Sequence, residues 1–208
     1  MEDSLPPNDK KNSEPSIAKD DLIGMLMKRM EQLPEGERNI ITYGSVYLGI
    51  NSAFAGLIAN SFFRRILNIS QARFASSLPM AVLPLLSTVA LYNAAMIKPM
   101  ISGDLDCPTC VLVRGGLVAS LAGGLYPIAL AVPINAGLAV RYNTAPMPEK
   151  GNILQFWLKV CQPVLKKMSF VLILQAIFGV YLSSRQYGIY LKMLEPPATH
   201  TDPEELSQ

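Results

Sequence analysis

Cys107 and Cys110 form a CxxC pair, the arrangement in this chain that most directly suggests chemistry. Such a pair can cycle between dithiol and disulfide when one thiol has a lowered pKa, often beside a helix N-terminus. A structural zinc site would need about four Cys or His ligands, and Cys161 and His200 do not supply a second pair. Three interpretations stay open: ordinary loop cysteines, a Cys107–Cys110 disulfide if the loop faces an oxidising compartment, or a redox or metal role.

Other residues that could do chemistry are scarce. The one histidine, His200, lies in a polar tail, so acid/base catalysis by histidine has little to build on. The sequence has no phosphate-binding glycine loop, nucleophile elbow or paired carboxylates. Basic residues do not form a stripe interleaved with aromatics. We therefore predict no catalytic residue, no metal, no cofactor and no nucleic-acid partner.

The charged residues are few and clustered. They make up 16% of the chain, whereas soluble domains carry about 25%. Four stretches of 25, 24, 26 and 17 residues contain no charge at all and are bracketed by Lys or Arg. A transmembrane helix needs about 20 mostly apolar residues. The pattern predicts an all-α membrane protein, a bundle of about four transmembrane helices, at residues 42–63, 75–97, 112–134 and 164–187.

Pairs of adjacent basic residues mark the predicted membrane boundary, where the protein meets the lipid headgroups. Arg64 and Arg65 close the first span directly after two phenylalanines, and Lys166 and Lys167 would snorkel to the surface at the start of the fourth. Lys and Arg counts on the two sides nearly balance, so the positive-inside rule leaves the orientation open.

The remaining segments are short. Residues 1–16 are polar and contain proline, which predicts disorder. Residues 17–34 have apolar positions at helical spacing, which predicts a short amphipathic helix. Residues 35–192 form one transmembrane domain, and 193–208 a flexible acidic tail. Pro79 and Pro84 predict a kink or a broken first turn in the second span.

The third span carries two adjacent rows of small residues at a spacing of four. Small residues allow helix backbones to approach closely in lipid. We predict that this double row makes the tightest helix contact of the bundle and also faces a partner or client. Its members are Gly115, Ala119 and Gly123 in one row and Gly116, Ser120 and Gly124 in the other.

Several longer stretches resemble the transmembrane protein 126 family, with the A-type members most similar. They include QLPEGERN, GSVYLGINSAFAGLIANSFFRRILN, SGDLDCPTC and GGLYPIALAVPINAGLAVRYNTAPMPEKGNIL, at residues 32–39, 44–68, 102–110 and 123–154. The resemblance covers roughly residues 30–190. It implies a multi-pass protein of the mitochondrial inner membrane that acts without catalysis.

The resemblance also implies partners. They are intermediates of respiratory complex I assembly, in particular the distal membrane-arm module with NADH dehydrogenase subunit 4, an Oxa1-type insertase, and newly made mitochondrially encoded membrane subunits under quality control. The residues leave two alternatives open. One is a small carrier or channel that uses Asn51, Asn60, Asn135 and carbonyls of broken helices, and the other is a redox-active CxxC membrane protein.

Overall fold

The computed structural model describes residues 14–144 and 153–195, and within these the regular structure is entirely helical. Four of the five helices, α2 to α5, are long and apolar enough to cross a membrane. The predicted all-α membrane bundle is therefore confirmed. The helices are α1 (Glu14–Glu31), α2 (Glu35–Ile66), α3 (Arg73–Ile101), α4 (Pro108–Tyr142) and α5 (Ile153–Leu194).

Each predicted span lies inside a longer helix. α2 has 32 residues, so at 1.5 Å per residue it is about 48 Å long, against about 30 Å for the hydrocarbon core. The extra turns extend the helices into the headgroup region at both ends. α1 starts and ends about one turn earlier than the amphipathic pattern suggested, and Pro34 directly precedes α2. Of the segment 1–16 predicted to be disordered, residues 14–16 belong to α1, and of the tail predicted for 193–208, residues 193 and 194 end α5. Residues 1–13 and 196–208, which include His200, lie outside the described residues.

The four long helices run alternately up and down, so that two ends of the bundle can be distinguished. At the first, which we call the α1 end, Leu26 of α1 packs with Ile41, Met100 and Ile189 from three other helices. Arg29 of α1 also donates hydrogen bonds to the carbonyl oxygens of Met193, at 2.7 Å, and of Glu195. The first and last described helices therefore meet there.

At the opposite end, the loop between α2 and α3 packs on α4 and α5. Leu67 and Ile69 of this loop are buried against Ala139, and Trp157 covers them from α5. Phe156 meets Trp157 edge to face, with ring centroids 5.4 Å apart. This aromatic pair lies at the level where membrane proteins concentrate such residues.

The irregular turns of the backbone lie at other positions than the two prolines of the second span. α3 continues as α-helix through Pro79 and Pro84, so the broken first turn is wrong, while the alternative of a kink stays a prediction. Two π turns occur instead, at Asn93–Ile97 in α3 and at Leu121–Leu125 in α4. The second of these ends two residues before Pro127, and polar side chains from three other helices converge there.

Candidate functional site

The π turn and Pro127 together disturb the backbone hydrogen bonding of one turn of α4. Tyr126 donates its N–H to the carbonyl of Leu121, which is the i to i−5 pattern of a π turn. The N–H of residue 127 would bond the carbonyl of Ala122 in that register, or that of Gly123 in the α-helical register. Proline has no N–H, so a backbone donor is missing in either register and a donor from elsewhere is favoured. Within a membrane, an unsatisfied backbone carbonyl is costly.

Three neighbouring helices supply polar side chains to these carbonyls. The Thr88 hydroxyl of α3 lies 3.1 Å from the Ala122 oxygen, and the Ser52 hydroxyl of α2 lies 2.9 Å from Thr88. Gln175 of α5 donates from Nε2 to the Gly123 oxygen at 3.2 Å. All three side chains are buried. These contacts tie α2, α3 and α5 to one turn of α4. We call the position the Pro127 hub and define it as Ser52, Thr88, Ala122, Gly123 and Gln175.

The sequence analysis did not identify the Pro127 hub. Ser52, Thr88 and Gln175 are isolated polar residues in apolar spans, which is a signal for interhelical hydrogen bonding. Their shared acceptor could have been anticipated from the proline alone, since a proline inside a helix always frees the carbonyl four residues earlier. The convergence of three helices on that acceptor requires the three-dimensional packing.

α4 and α5 approach each other closely at a contact that we call the α4–α5 seam. It consists of Gly115 and Ala119 on α4 and of Gly179 and Ser183 on α5. A Cβ atom added to Gly115 would lie 2.5 Å from the Ser183 Cβ atom, and one added to Gly179 would lie 2.7 Å from the Gly115 carbonyl oxygen. Small residues four apart on both helices therefore make this contact sterically feasible.

The double row of small residues predicted in the third span lies inside the protein. Gly116 faces Val180, and Gly124 faces Leu172, both on α5. Gly115, Ala119 and Gly123 are also buried, and Ser120 is half-buried, with its hydroxyl bonded to the Gly116 carbonyl of its own helix. This corrects the expectation of a partner-facing surface, because α5 covers the row.

Two of the three asparagines considered for a carrier, Asn60 and Asn135, are part of an interhelical network, whereas Asn51 is half-buried on α2. Asn135 of α4 donates from Nδ2 to Asn60 Oδ1 of α2 and to its own helix at Ala131, each at 2.9 Å. Asn60 donates in turn to the hydroxyl of Ser76 on α3 at 3.2 Å. Asn60 and Asn135 are almost fully buried. Hydrogen bonds among three helices engage both polar atoms of the Asn60 amide and the Nδ2 of Asn135, while Asn135 Oδ1 is buried without a hydrogen-bond partner in the described residues.

Arg64 differs from the boundary residue predicted at its position. It is buried, and its guanidinium donates to the carbonyls of Ile69 and Gln71 at 3.0 and 2.7 Å and to Ser76 Oγ at 2.9 Å. It thus holds the α2–α3 loop closed against the end of α2. Arg65, the next residue, is exposed as the boundary interpretation requires.

The two lysines predicted at the membrane boundary of the fourth span point outward. Lys166 and Lys167 are both exposed on α5. The Lys167 ammonium lies 5.5 Å from the ring centroid of Phe62 on α2, a cation–π contact. These positions place the two lysines level with the end of α2, where Arg65 also lies.

The CxxC pair begins α4. Cys107 is the N-cap, its sulfur accepting from the Cys110 N–H at 3.4 Å, and both thiols are free and exposed. Hydrogen bonds from the Cys110 side chain, and secondarily from the Cys110 N–H, lower the pKa of Cys107 below its ordinary value. Within residues 14–144 and 153–195, no group of three or more His, Cys, Asp or Glu is placed to hold a metal ion. A disulfide between the two cysteines stays a prediction.

Comparison with known proteins identifies the relatives of this chain. The family model described as "Transmembrane protein 126" matches residues 20–200. Mouse Transmembrane protein 126A is 53% identical over 184 residues, covering 88% of this chain and 94% of the mouse protein. Human Transmembrane protein 126A is 48% identical over 188 residues, with coverage of 90% and 94%.

A second group of relatives is more distant. The rat protein named "Complex I assembly factor TMEM126B, mitochondrial" is 32% identical over 168 residues, covering 79% of this chain and 73% of the rat protein. The human protein of the same name is 31% identical over 153 residues, with coverage of 74% and 66%. No solved structure matches the chain. The match to the family model over most of its length, with close relatives that share the name, shows that this chain belongs to the transmembrane protein 126 family.

Proposed function

We propose that this chain is a non-enzymatic assembly factor for respiratory complex I, embedded as a multi-pass protein in the mitochondrial inner membrane. The relation to rat and human proteins named as mitochondrial complex I assembly factors carries the proposal. The arrangement of polar groups supports it. Ser52, Thr88, Gln175 and the two buried asparagines are engaged in contacts between helices, which suits a scaffold more than a pump.

The finer proposal concerns the stage of assembly. We infer action on the distal membrane-arm module with NADH dehydrogenase subunit 4, together with an Oxa1-type insertase during synthesis and quality control of membrane subunits. The A-type resemblance supports this stage. The outward faces of the helices add a physical basis, because Phe170 and Ile177 of α5 are 71% and 65% exposed and present apolar surface within the membrane.

Loss of the protein tests the proposed role in complex I assembly. Mitochondria without it are pulse-labelled for their own translation products and resolved by native electrophoresis. We expect distal membrane-arm intermediates of complex I to stall while the other respiratory complexes form normally. Re-expression of the full chain should restore assembly. Complex I that assembles at the normal rate and amount would refute the proposed function.

Site-specific crosslinking tests the proposed action on newly made membrane subunits together with the insertase. A photo-crosslinkable phenylalanine analogue replaces Tyr181, which is exposed on α5, and separately Tyr92, which is fully buried. During mitochondrial translation we expect adducts with newly made membrane subunits and with the insertase from position 181 and not from position 92. Adducts to neither partner would count against cotranslational action while leaving a later role in assembly intact.

A further inference from the structure

A polar cavity lies between the end of α2 and the start of α3, at the end of the bundle opposite α1. Its volume is about 560 Å³, within the roughly 300–1,000 Å³ typical of ligand pockets. Its polar lining includes Ser61, Asn68, Ser77 and three arginines, Arg64, Arg65 and Arg73. We call it the arginine cavity.

The three arginines give the cavity an uncompensated positive charge. No acidic residue lines it. Arg64 is already committed to the α2–α3 loop, and Arg73 lies close enough for the two positive charges to repel each other. No hydrogen bond or ion pair involves the Arg65 or Arg73 side chain within the described part of the chain. Two guanidinium groups are thus available to an anion, and an anion would relieve their repulsion with Arg64.

The charge distribution of the described segments supports an anionic ligand from outside the protein. Within the described segments, every Asp and Glu lies at the α1 end: on α1, at the start of α2, in the loop before α4 or after α5. The opposite end carries only basic residues in those segments, namely Arg64, Arg65, Arg73, Arg141, Lys159, Lys166 and Lys167. Among residues 14–144 and 153–195, no acidic side chain therefore lies near the cavity as a counter-ion.

The position of the cavity identifies the source of the anion. Helical spacing places Phe54 and Ile58 on the same face of α2 as Arg65, and both are exposed. On α3, Phe74 and Leu78 are 92% and 71% exposed directly after Arg73. The cavity is thus bordered on the membrane side by apolar surface on both helices, which suits acyl chains as well as a headgroup.

We propose that the arginine cavity binds the phosphate of an anionic phospholipid. Arg65 and Arg73 hold the phosphate oxygens, because guanidinium groups match phosphate in geometry and charge. Arg64 contributes positive charge from behind while keeping the loop closed. The acyl chains lie along the exposed apolar faces of α2 and α3. Basic pockets between transmembrane helices are a known mode of lipid headgroup recognition.

The test uses the full chain in phosphatidylcholine vesicles that contain spin-labelled phosphatidylglycerol or spin-labelled phosphatidylcholine. The fraction of motionally restricted lipid gives the relative association constant of each label. We expect the wild type to prefer phosphatidylglycerol. Arg65→Gln combined with Arg73→Gln should lower that preference by up to about thirtyfold, at about a factor of five per basic residue. A second variant carries Arg65→Gln alone and leaves Arg73 in place. It should lose part of the preference for phosphatidylglycerol.

A matched control removes the same charge outside the cavity, with Arg141→Gln combined with Lys159→Gln. We expect this variant to keep most of the preference. The proposal is overturned if the cavity variants bind phosphatidylglycerol as the wild type does, or if the control loses as much, since the attraction would then belong to the basic end in general. It is also overturned if millimolar inorganic phosphate abolishes the preference, because the site would then take free phosphate. None of these outcomes depends on a role in complex I assembly.

Discussion

The α4–α5 seam makes a quantitative prediction through two glycines of one helix. Gly179 and Gly188 both lie on α5, but only Gly179 lies in the seam. A Cβ atom at 179 would come within 2.7 Å of the Gly115 carbonyl oxygen and would overlap Ala119, whereas one at 188 would meet nothing within 4 Å. Ordinary contacts of a Cβ atom begin at about 3.4 Å. Gly179→Ala must therefore push α4 and α5 apart or shift one of them along the other.

The magnitude follows from comparing the two alanine variants. Either substitution gains the helix propensity of alanine over glycine, about 0.8–1 kcal/mol in soluble helices, so this gain cancels in the comparison. The remaining difference is the cost of overpacking, typically about 1–3 kcal/mol. A protein of this size loses about 2–4 °C of melting temperature per kcal/mol. We therefore expect Gly179→Ala to melt roughly 2–12 °C below Gly188→Ala.

The assay is thermal unfolding in detergent, followed by the loss of the monodisperse peak in size-exclusion chromatography. The two variants are purified in the same detergent and compared at several heating times. If Gly179→Ala melts at or above the temperature of Gly188→Ala, the helices do not meet at Gly179, and the seam as described is incorrect.

Three further predictions concern polar groups. Gln175→Leu should lower the free energy of unfolding by about 1–3 kcal/mol, because the buried carbonyl of Gly123 on α4 loses the hydrogen bond from the Gln175 amide; unfolding in detergent measures it. Arg64→Gln should lower the free energy of unfolding by about 1.5–3 kcal/mol, because bonds from a charged donor to the α2–α3 loop are lost, while Arg65→Gln should have little effect. Alkylation of Cys107 should reach half its maximal rate at a lower pH in the folded protein than in the unfolded chain, because hydrogen bonds from Cys110 lower the pKa of the Cys107 thiol. Cys110→Ala should move that midpoint upward.

Controls separate these effects from general perturbation. Gln162 is exposed on the same helix as Gln175, so Gln162→Leu should leave the stability nearly unchanged; equal losses from both substitutions would argue against the Pro127 hub. Equal effects of Arg64→Gln and Arg65→Gln would contradict the burial of Arg64. An alkylation midpoint of Cys107 that matches the unfolded protein would show that its hydrogen bonds do not influence the thiol.

The architecture could be predicted from charge placement because lipid excludes charge over a fixed thickness. A charge-free stretch between basic residues leaves few options besides a crossing helix, so the four helices followed directly from the sequence. The small-residue rows similarly indicated close packing. The residues that pack against these rows could not be predicted. Gly179 and Ser183 lie more than 60 positions along the chain from Gly115, and no local pattern pairs them with it.

Arg64 illustrates information that was present and incompletely used. Arg64 and Arg65 are adjacent and identical in chemistry, so composition assigns both to the membrane boundary. Helical spacing distinguishes them, since Arg64 follows Ser52, Gly56 and Asn60 at intervals of four and shares their buried face. The carbonyls that Arg64 binds belong to an irregular loop, whose geometry no periodic pattern specifies.

The contact between Arg29 and the end of α5 sets a limit on the order of events during biosynthesis. Its partners are separated by 164 residues, so α1 leaves the ribosome long before the α5 part of its docking site exists. At about 5–20 residues per second, the wait is roughly 8–33 s. During that interval α1 has only its contacts with Ile41 of α2 and Met100 of α3, and α4, once made, carries its glycine face uncovered until α5 follows. A chain that stops before the last turns of α5 would therefore lack the hydrogen bonds by which Arg29 fastens α1 to the end of the bundle.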